Sequence, residues 1–311
     1  MHGEKPTAAA GFRRLIGESM KQAYTKINFR KSTREMLAKI DEIASEYAAQ
    51  GISMTVRQAY YQLVARGVIP NTPQEYRKIA ATISDGRKAG ILDWDYIEDR
   101  TRSEKALTHW ESPEEILLSA ANSYRTDTRR NQPCYLEAWI EKDALIGIVK
   151  DVAWESDVTC FSCRGYPSVT AVREAASRFQ RQARRRVILY AGDHDPTGLD
   201  IPRDISEKME MFGASVEVVR IGLTDEQIRR YNPPPCPVKE SDKRSGKYVK
   251  QYGNQCWELD ALPPDVLAGL FREHIAALTD PELLQAARRD DEQTRRGLRN
   301  LVMTEFSREW S

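Results

Sequence analysis

The chain has 311 residues, 41% hydrophobic and 30% charged, with a formal net charge of +1. That composition excludes intrinsic disorder, and at ~100–200 residues per domain the length predicts two domains. No run nears the ~18 apolar residues of a membrane span, the N-terminus lacks an apolar signal core, and five scattered cysteines form no disulfide framework, so a reducing cytoplasm is expected.

Residues 1–31 carry no firm pattern and read as an N-terminal arm. Ser32-Thr33-Arg34-Glu35 is a capping box, with Leu37, Ile40, Ile43, Ala44 and Tyr47 following at helical spacing and Gly51 as the stop. Thr55-Val56-Arg57-Gln58 opens a second helix, ended by Gly67. Thr72-Pro73-Gln74-Glu75 opens a third, with Tyr76, Ile79, Ala80 and Ile83 on its apolar face and Arg77, Lys78, Arg87 and Lys88 on the other. Residues 91–97 read as a short hairpin or wing, and Ser112-Pro113-Glu114-Glu115 starts one more helix. Residues 32–124 therefore predict a helical winged-helix (CAP-like) domain, a plan shared by DNA-binding modules and by bundles that bind none. The polar run RTDTRRNQP, residues 125–133, reads as the interdomain linker.

The second helix carries two adjacent tyrosines with different phases. Val56, Ala59, Tyr60 and Leu63 cluster on one face at about 100° per residue. Tyr61 falls away from that face, on the side of Arg57 four residues earlier. Tyr60 is expected to pack inward, and Tyr61 to present its hydroxyl beside a guanidinium.

From residue 134 the pattern alternates. Residues 134–140 predict a strand and 143–154 a helix, followed by strand 158–162 and helix 169–185. Residues 187–191 form a buried-strand run, a helix follows Gly198, and residues 215–221 make a fourth strand. Strand–helix alternation predicts an α/β domain over residues 134–262 with a mainly parallel sheet, whose sites lie beyond the carboxyl ends of the strands. Glu141 closes the first strand, and Gly192-Asp193-His194-Asp195-Pro196 closes the third. Alternation points Asp193 and Asp195 to one side. With Glu141 they make a hard-oxygen set suited to Mg²⁺, with Mn²⁺ as substitute; caps and solvated turns are the plainer use of such residues. The charge is uneven too, 21 basic against 17 acidic side chains in residues 1–130 and 26 against 29 thereafter. That asymmetry suits a DNA contact joined to a metal site, and equally an ordinary surface.

Other features carry less. Cys160-Phe161-Ser162-Cys163 has no second pair at zinc spacing. Pro233-Pro234-Pro235-Cys236-Pro237 reads as a rigid connector, and the basic stretch Lys239–Lys250 either tracks a nucleic-acid backbone or is a solvated loop. Residues 256–260 read as a final strand bearing Glu258 and Asp260. Residues 263–311 read as a charged helical packing or dimer element.

The segments EAWIEKDAL, CRGYPSVTAVREAA and ILYAGDHDPTGLDIPRDI resemble the Toprim domain of the topoisomerase VI A subunit and its meiotic double-strand-break relative. That family's strand-end glutamate, G-x-P turn and D-x-D-P-x-G turn match Glu141, Gly165-Tyr166-Pro167 and Asp193-His194-Asp195-Pro196-Thr197-Gly198, in order. Upstream, Arg57-Gln58-Ala59-Tyr60-Tyr61 resembles the family's R-x-x-[YF]-Y, whose second tyrosine is the nucleophile and maps to Tyr61. The resemblance covers roughly residues 32–260. The stretch 68–89 departs from the family pattern, and His194 stands where a smaller residue is common.

The resemblance implies Mg²⁺-dependent cleavage of duplex DNA by a homodimer. Tyr61 would attack a backbone phosphate and Arg57 would stabilise the developing charge, with the metal on Glu141, Asp193 and Asp195. The chain shows no ATPase motif, so strand passage implies a separate ATPase subunit. Two alternatives stay open. One is a Toprim nuclease in which water attacks, and the other is a non-catalytic DNA-binding accessory protein.

Overall fold

The computed structural model describes residues 21–50, 52–98, 109–239 and 242–309. The chain divides into two compact units, residues 1–99 with 263–265, and residues 100–262 with 266–311.

In the first unit, α1 (Lys31–Ala48), β1 (Met54–Thr55), α2 (Val56–Ala65), α3 (Pro73–Lys88) and β2 (Ile97–Glu98) follow in order. The capping box expected at Ser32 does not form. The helix starts two residues earlier, with an extended Arg30 at the N-cap and no side-chain cap. Gly51 lies outside the described residues. The second box forms as predicted, Thr55 accepting from the Gln58 N–H while the Gln58 side chain accepts from the Thr55 N–H. Thr72 likewise caps α3, with Pro73 in its first turn. Leu37, Ile40, Ile43, Leu63, Ile79, Ile83, Leu92 and Ile97 are fully buried. Tyr76 stays 37% exposed, edge-on to Tyr60.

The expected hairpin over residues 91–97 is absent. Asp93 Oδ1 accepts from the Asp95 N–H at 2.9 Å, closing a tight turn that delivers β2 to pair in parallel with β1. Any wing beyond Glu98 falls on residues 99–108, outside the described set. Of the proposed arm, residues 1–20 are outside it too, while Ala23 bridges Ala89.

The second unit is α/β. It holds α4 (Pro113–Ser123), β3 (Cys134–Ile140), α5 (Ile146–Glu155), β4 (Thr159–Ser162), α6 (Val169–Gln180), β5 (Arg185–Ala191), α7 (Pro196–Met211) and β6 (Glu217–Gly222). After these come α8 (Asp225–Tyr231), β7 (Cys236–Pro237), α9 (Ser245–Tyr252), β8 (Gln255–Cys256), α10 (Pro264–Ala277, whose first two residues are counted with the first unit) and α11 (Pro281–Glu309). The four strands β4-β3-β5-β6 pair in parallel. Alternation splits β3 between two cores. Leu136, Ala138 and Ile140 pack with Val149 and Val152 of α5 and Phe271 of α10. Trp139 packs with Phe179 of α6 and Ile201, Ile205 and Met209 of α7.

Helix α6 stops at Gln180, short of the expected residue 185, and Arg185 already belongs to β5. Two domain-level boundaries also differ from expectation. Helix α4, read from sequence as part of the N-terminal domain, packs on α11 in the second unit, where Arg299 donates to Asn122 and Arg295 to the Tyr124 carbonyl. Residues 125–133 are not a free linker. Thr126 donates to Asp291, Thr128 to Asp157, and the Gln132 amide bonds both backbone groups of Asp280. Arg129 is buried on Thr279 and the Ser156 carbonyl, its pKa lowered by that burial. A polar run becomes a packed element when each donor meets an acceptor.

Candidate active site

Strands β3 and β5 are neighbours whose next strands run off to opposite sides, which makes their carboxyl ends a switch point of the sheet. Ile140 lies opposite Ala191 in register, so Glu141 and Gly192-Asp193 leave the sheet side by side. Glu141 Oε2 accepts from the Asp193 N–H at 2.8 Å and from the Tyr190 hydroxyl at 3.3 Å. The glycines make that approach feasible. A Cβ on Gly192 would stand 2.6 Å from Glu141 Oε2, and one on Gly198 would stand 3.0 Å from the same oxygen.

Glu141 and Asp193 are both buried, and both carboxyls are pushed up in pKa. Burial is the main cause for each. For Asp193 the value rises to about 7, with the nearby Lys142 ammonium opposing. Asp193 Oδ1 accepts from the Leu259 N–H at 2.7 Å and lies 3.1 Å from Lys142 Nζ. Lys142 also reaches Glu258 at 3.0 Å and Asp260 at 3.6 Å. The expected strand over residues 256–260 is thus two short pieces. Cys256 pairs in β8, Trp257 bridges His194, and residues 259–261 form a 3₁₀ turn that brings Asp260 to Lys142.

Asp195 is placed differently. Its Oδ1 accepts from the Gly198 N–H at 2.6 Å as the N-cap of α7, ahead of Pro196. The helix therefore begins at Pro196, before the expected Gly198, and the Asp195 charge still raises the pKa of Glu141.

Arg220, alone among apolar neighbours on β6, binds the turn from below. Its guanidinium donates to the carbonyls of Gly192, Asp193, Gly198 and Leu223. Burial lowers its pKa. His194 is a clasp: its ring nitrogens lie 2.8 Å from the Tyr248 hydroxyl and 3.1 Å from Asp225. Sequence reasoning missed Lys142 and Arg220. The signals were a charged residue directly after the strand-end glutamate and a lone arginine within EVVRIG.

Among the described residues, no group of three His, Cys, Asp or Glu side chains stands as a ready metal cage. The donors fit a hard divalent ion in kind: Glu141 and Asp193 are buried oxygens in contact through one backbone, with Asp195 two residues on. The two glycines keep the space beside Glu141 clear of side-chain carbon.

In the first unit, the expected exposure of Tyr61 is overturned. Residues 58–63 of α2 are all buried, with Tyr60 at 3% and Tyr61 at 5% exposure. Helix phase separates two faces only when one of them meets solvent, and this helix is enclosed on both. The Tyr60 hydroxyl donates to Asn71 Oδ1 at 3.0 Å, with the Thr72 carbonyl at 3.1 Å. Tyr61 packs edge-on against Tyr60, and the Arg57 guanidinium lies over the Tyr61 ring, 5.8 Å from its centre.

A scan of the chain against protein-family models matches none, and a search of curated proteins finds no significant match. No helix among the described residues is long and apolar enough to cross a membrane.

Proposed function

We propose that the protein is a divalent-metal-dependent DNA strand-cleaving enzyme of the winged-helix plus Toprim kind, a tyrosine transesterase resembling the topoisomerase VI A subunit. The observation that supports it most is the union of Glu141 with Asp193 through a 2.8 Å hydrogen bond at the sheet's switch point. Two sequence motifs about fifty residues apart meet there.

Glu141, Asp193 and Asp195 would hold Mg²⁺ or Mn²⁺, which supplies charge neutralisation at the scissile phosphate. Tyr61 oxygen attacks phosphorus, forming a 5′-phosphotyrosyl ester as the bond to the 3′-oxygen breaks. The phenol proton is lost and the 3′-oxygen gains one, so the ends are a covalent protein–DNA link and a free 3′-hydroxyl. Arg57 lends positive charge to the phenolic oxygen and to the phosphoryl group. A phenol of pKa ~10 needs that help at neutral pH. A homodimer would cut both strands of duplex DNA, and strand passage would require a separate ATPase subunit.

The burial of Tyr61 favours a second reading, a Toprim nuclease in which water attacks and the tyrosine only helps shape the fold. Incubation of labelled duplex DNA with Mg²⁺ or Mn²⁺, run on denaturing gels with and without protease, separates the two. The transesterase gives label that enters the gel only after proteolysis. Free 5′-phosphate ends would leave the nuclease, and no cleavage with either metal would leave a DNA-binding accessory protein.

A further inference from the structure

Beside the acidic turn lies a groove of about 580 Å³ lined by Pro196, Leu199, Lys243, Arg244, Lys247 and Tyr252, among others. We infer that this groove holds the phosphodiester backbone of a DNA strand and leads it to the Glu141–Asp193 turn. The inference rests on the proposed DNA chemistry for its ligand, and on the following geometry for its place.

Helix α9 and the residues just before it are tied to the acidic turn and the start of α7 at two points. Thr197 Oγ1 donates to Asp242 Oδ2 at 2.7 Å, just before the cationic run begins. The Tyr248 hydroxyl donates to the His194 carbonyl at 2.8 Å, and the His194 ring also packs edge-on against Tyr252. His194 sits between the two aspartates, so one buried side chain anchors both the acidic turn and the basic helix. A phosphate chain held on α9 is thereby adjacent to the carboxylates.

The three cations differ in what already holds them. Arg244 is fixed, with Asp200 at 3.2 Å, Asp242 at 3.5 Å and its guanidinium 5.2 Å from the Tyr166 ring centre. Lys243 and Lys247 are exposed, and among the described residues neither pairs with a carboxylate. Two unpaired ammonium groups over a groove floored by Pro196 and Leu199 suit a ligand with spaced negative charges and apolar sugar faces. A strand of nucleic acid has both.

The test is fluorescence anisotropy with a labelled 25-base-pair duplex, in EDTA so that binding is read without cleavage. K243E/K247E should weaken binding at least tenfold, and K243Q/K247Q should lower the slope of log affinity against log salt by about 2, from ~0.9 per phosphate contact. R181E/R289E, an equal charge change elsewhere on the same unit, should stay within twofold of wild type. Melting curves confirm that each variant is folded. If the Lys243/Lys247 variants bind like wild type, or if the control pair loses as much, the groove assignment is overturned while the cleavage reading stands. If the Lys243/Lys247 variants lose binding and wild type never cleaves DNA under Mg²⁺ or Mn²⁺, the groove stands and the enzymatic reading falls. Wild type that binds neither duplex nor single strand overturns both.

Discussion

The Glu141 carboxylate accepts the backbone N–H of Asp193 at 2.8 Å, joining the ends of two paired parallel strands. The bond gives the buried Glu141 carboxylate a donor, while the buried Asp193 carboxyl is met by the Leu259 N–H and Lys142.

Asp193 is raised from an ordinary 3.8 to about 7, so in the metal-free protein it holds its proton below that pH. The folded state binds the proton more tightly than the unfolded state. Stability from this group is therefore full below pH ~4 and lost as pH rises through 7. A divalent ion competes with the same proton, so Mg²⁺ or Mn²⁺ affinity should rise about tenfold per unit up to pH 7 and level off above it. Calorimetric titration at pH 6, 7 and 8 measures this. A flat profile, or Asp193→Asn binding as tightly as wild type, counts against the site.

Gly192 is required by closeness. An added Cβ would stand 2.6 Å from Glu141 Oε2 and would also strike the Tyr190 hydroxyl. Gly192→Ala should cost about 1–3 kcal/mol in denaturant unfolding, as overpacking does, and should weaken metal binding as well. Gly246→Ala meets nothing within 4 Å and serves as the control.

Arg220 should be essential to the turn. Arg220→Ala strips the guanidinium from four carbonyls at once, and at least about 2 kcal/mol should be lost. Arg220→Lys, with three donors in place of a planar fork, should recover only part of that. Equal stability of Arg220→Ala and wild type in a urea melt would show that the contacts contribute nothing.

The two tyrosines should separate chemically. Tyr61→Phe removes the attacking oxygen and should eliminate the covalent DNA adduct. Tyr60→Phe should keep the adduct but lose about 1 kcal/mol, because its hydroxyl donates to Asn71 with the Thr72 carbonyl close by. Adduct formation by Tyr61→Phe at the wild-type rate rules out Tyr61 as nucleophile. Arg57→Ala should slow adduct formation and leave DNA binding in place.

What the sequence determined by itself was local and periodic. Strand β3 is legible residue for residue because Cys134–Ile140 is a short run, apolar but for Glu137, between a polar stretch and Glu141. The Thr55 and Thr72 caps are equally legible, since a cap bonds a backbone group three residues away. Glu141 and Asp193 were locatable as strand-end acids because a parallel α/β sheet puts its sites there. Tertiary structure alone decided what those residues touch. It set Lys142 among Asp193, Glu258 and Asp260, and turned residues 125–133 into a packed element. It also enclosed Tyr61, which helix phase had placed toward solvent. Phase describes one helix in isolation, whereas burial, pairing and charge depend on partners brought in from other elements. Glu258, 116 residues from Lys142, is such a partner, and no local pattern encodes it.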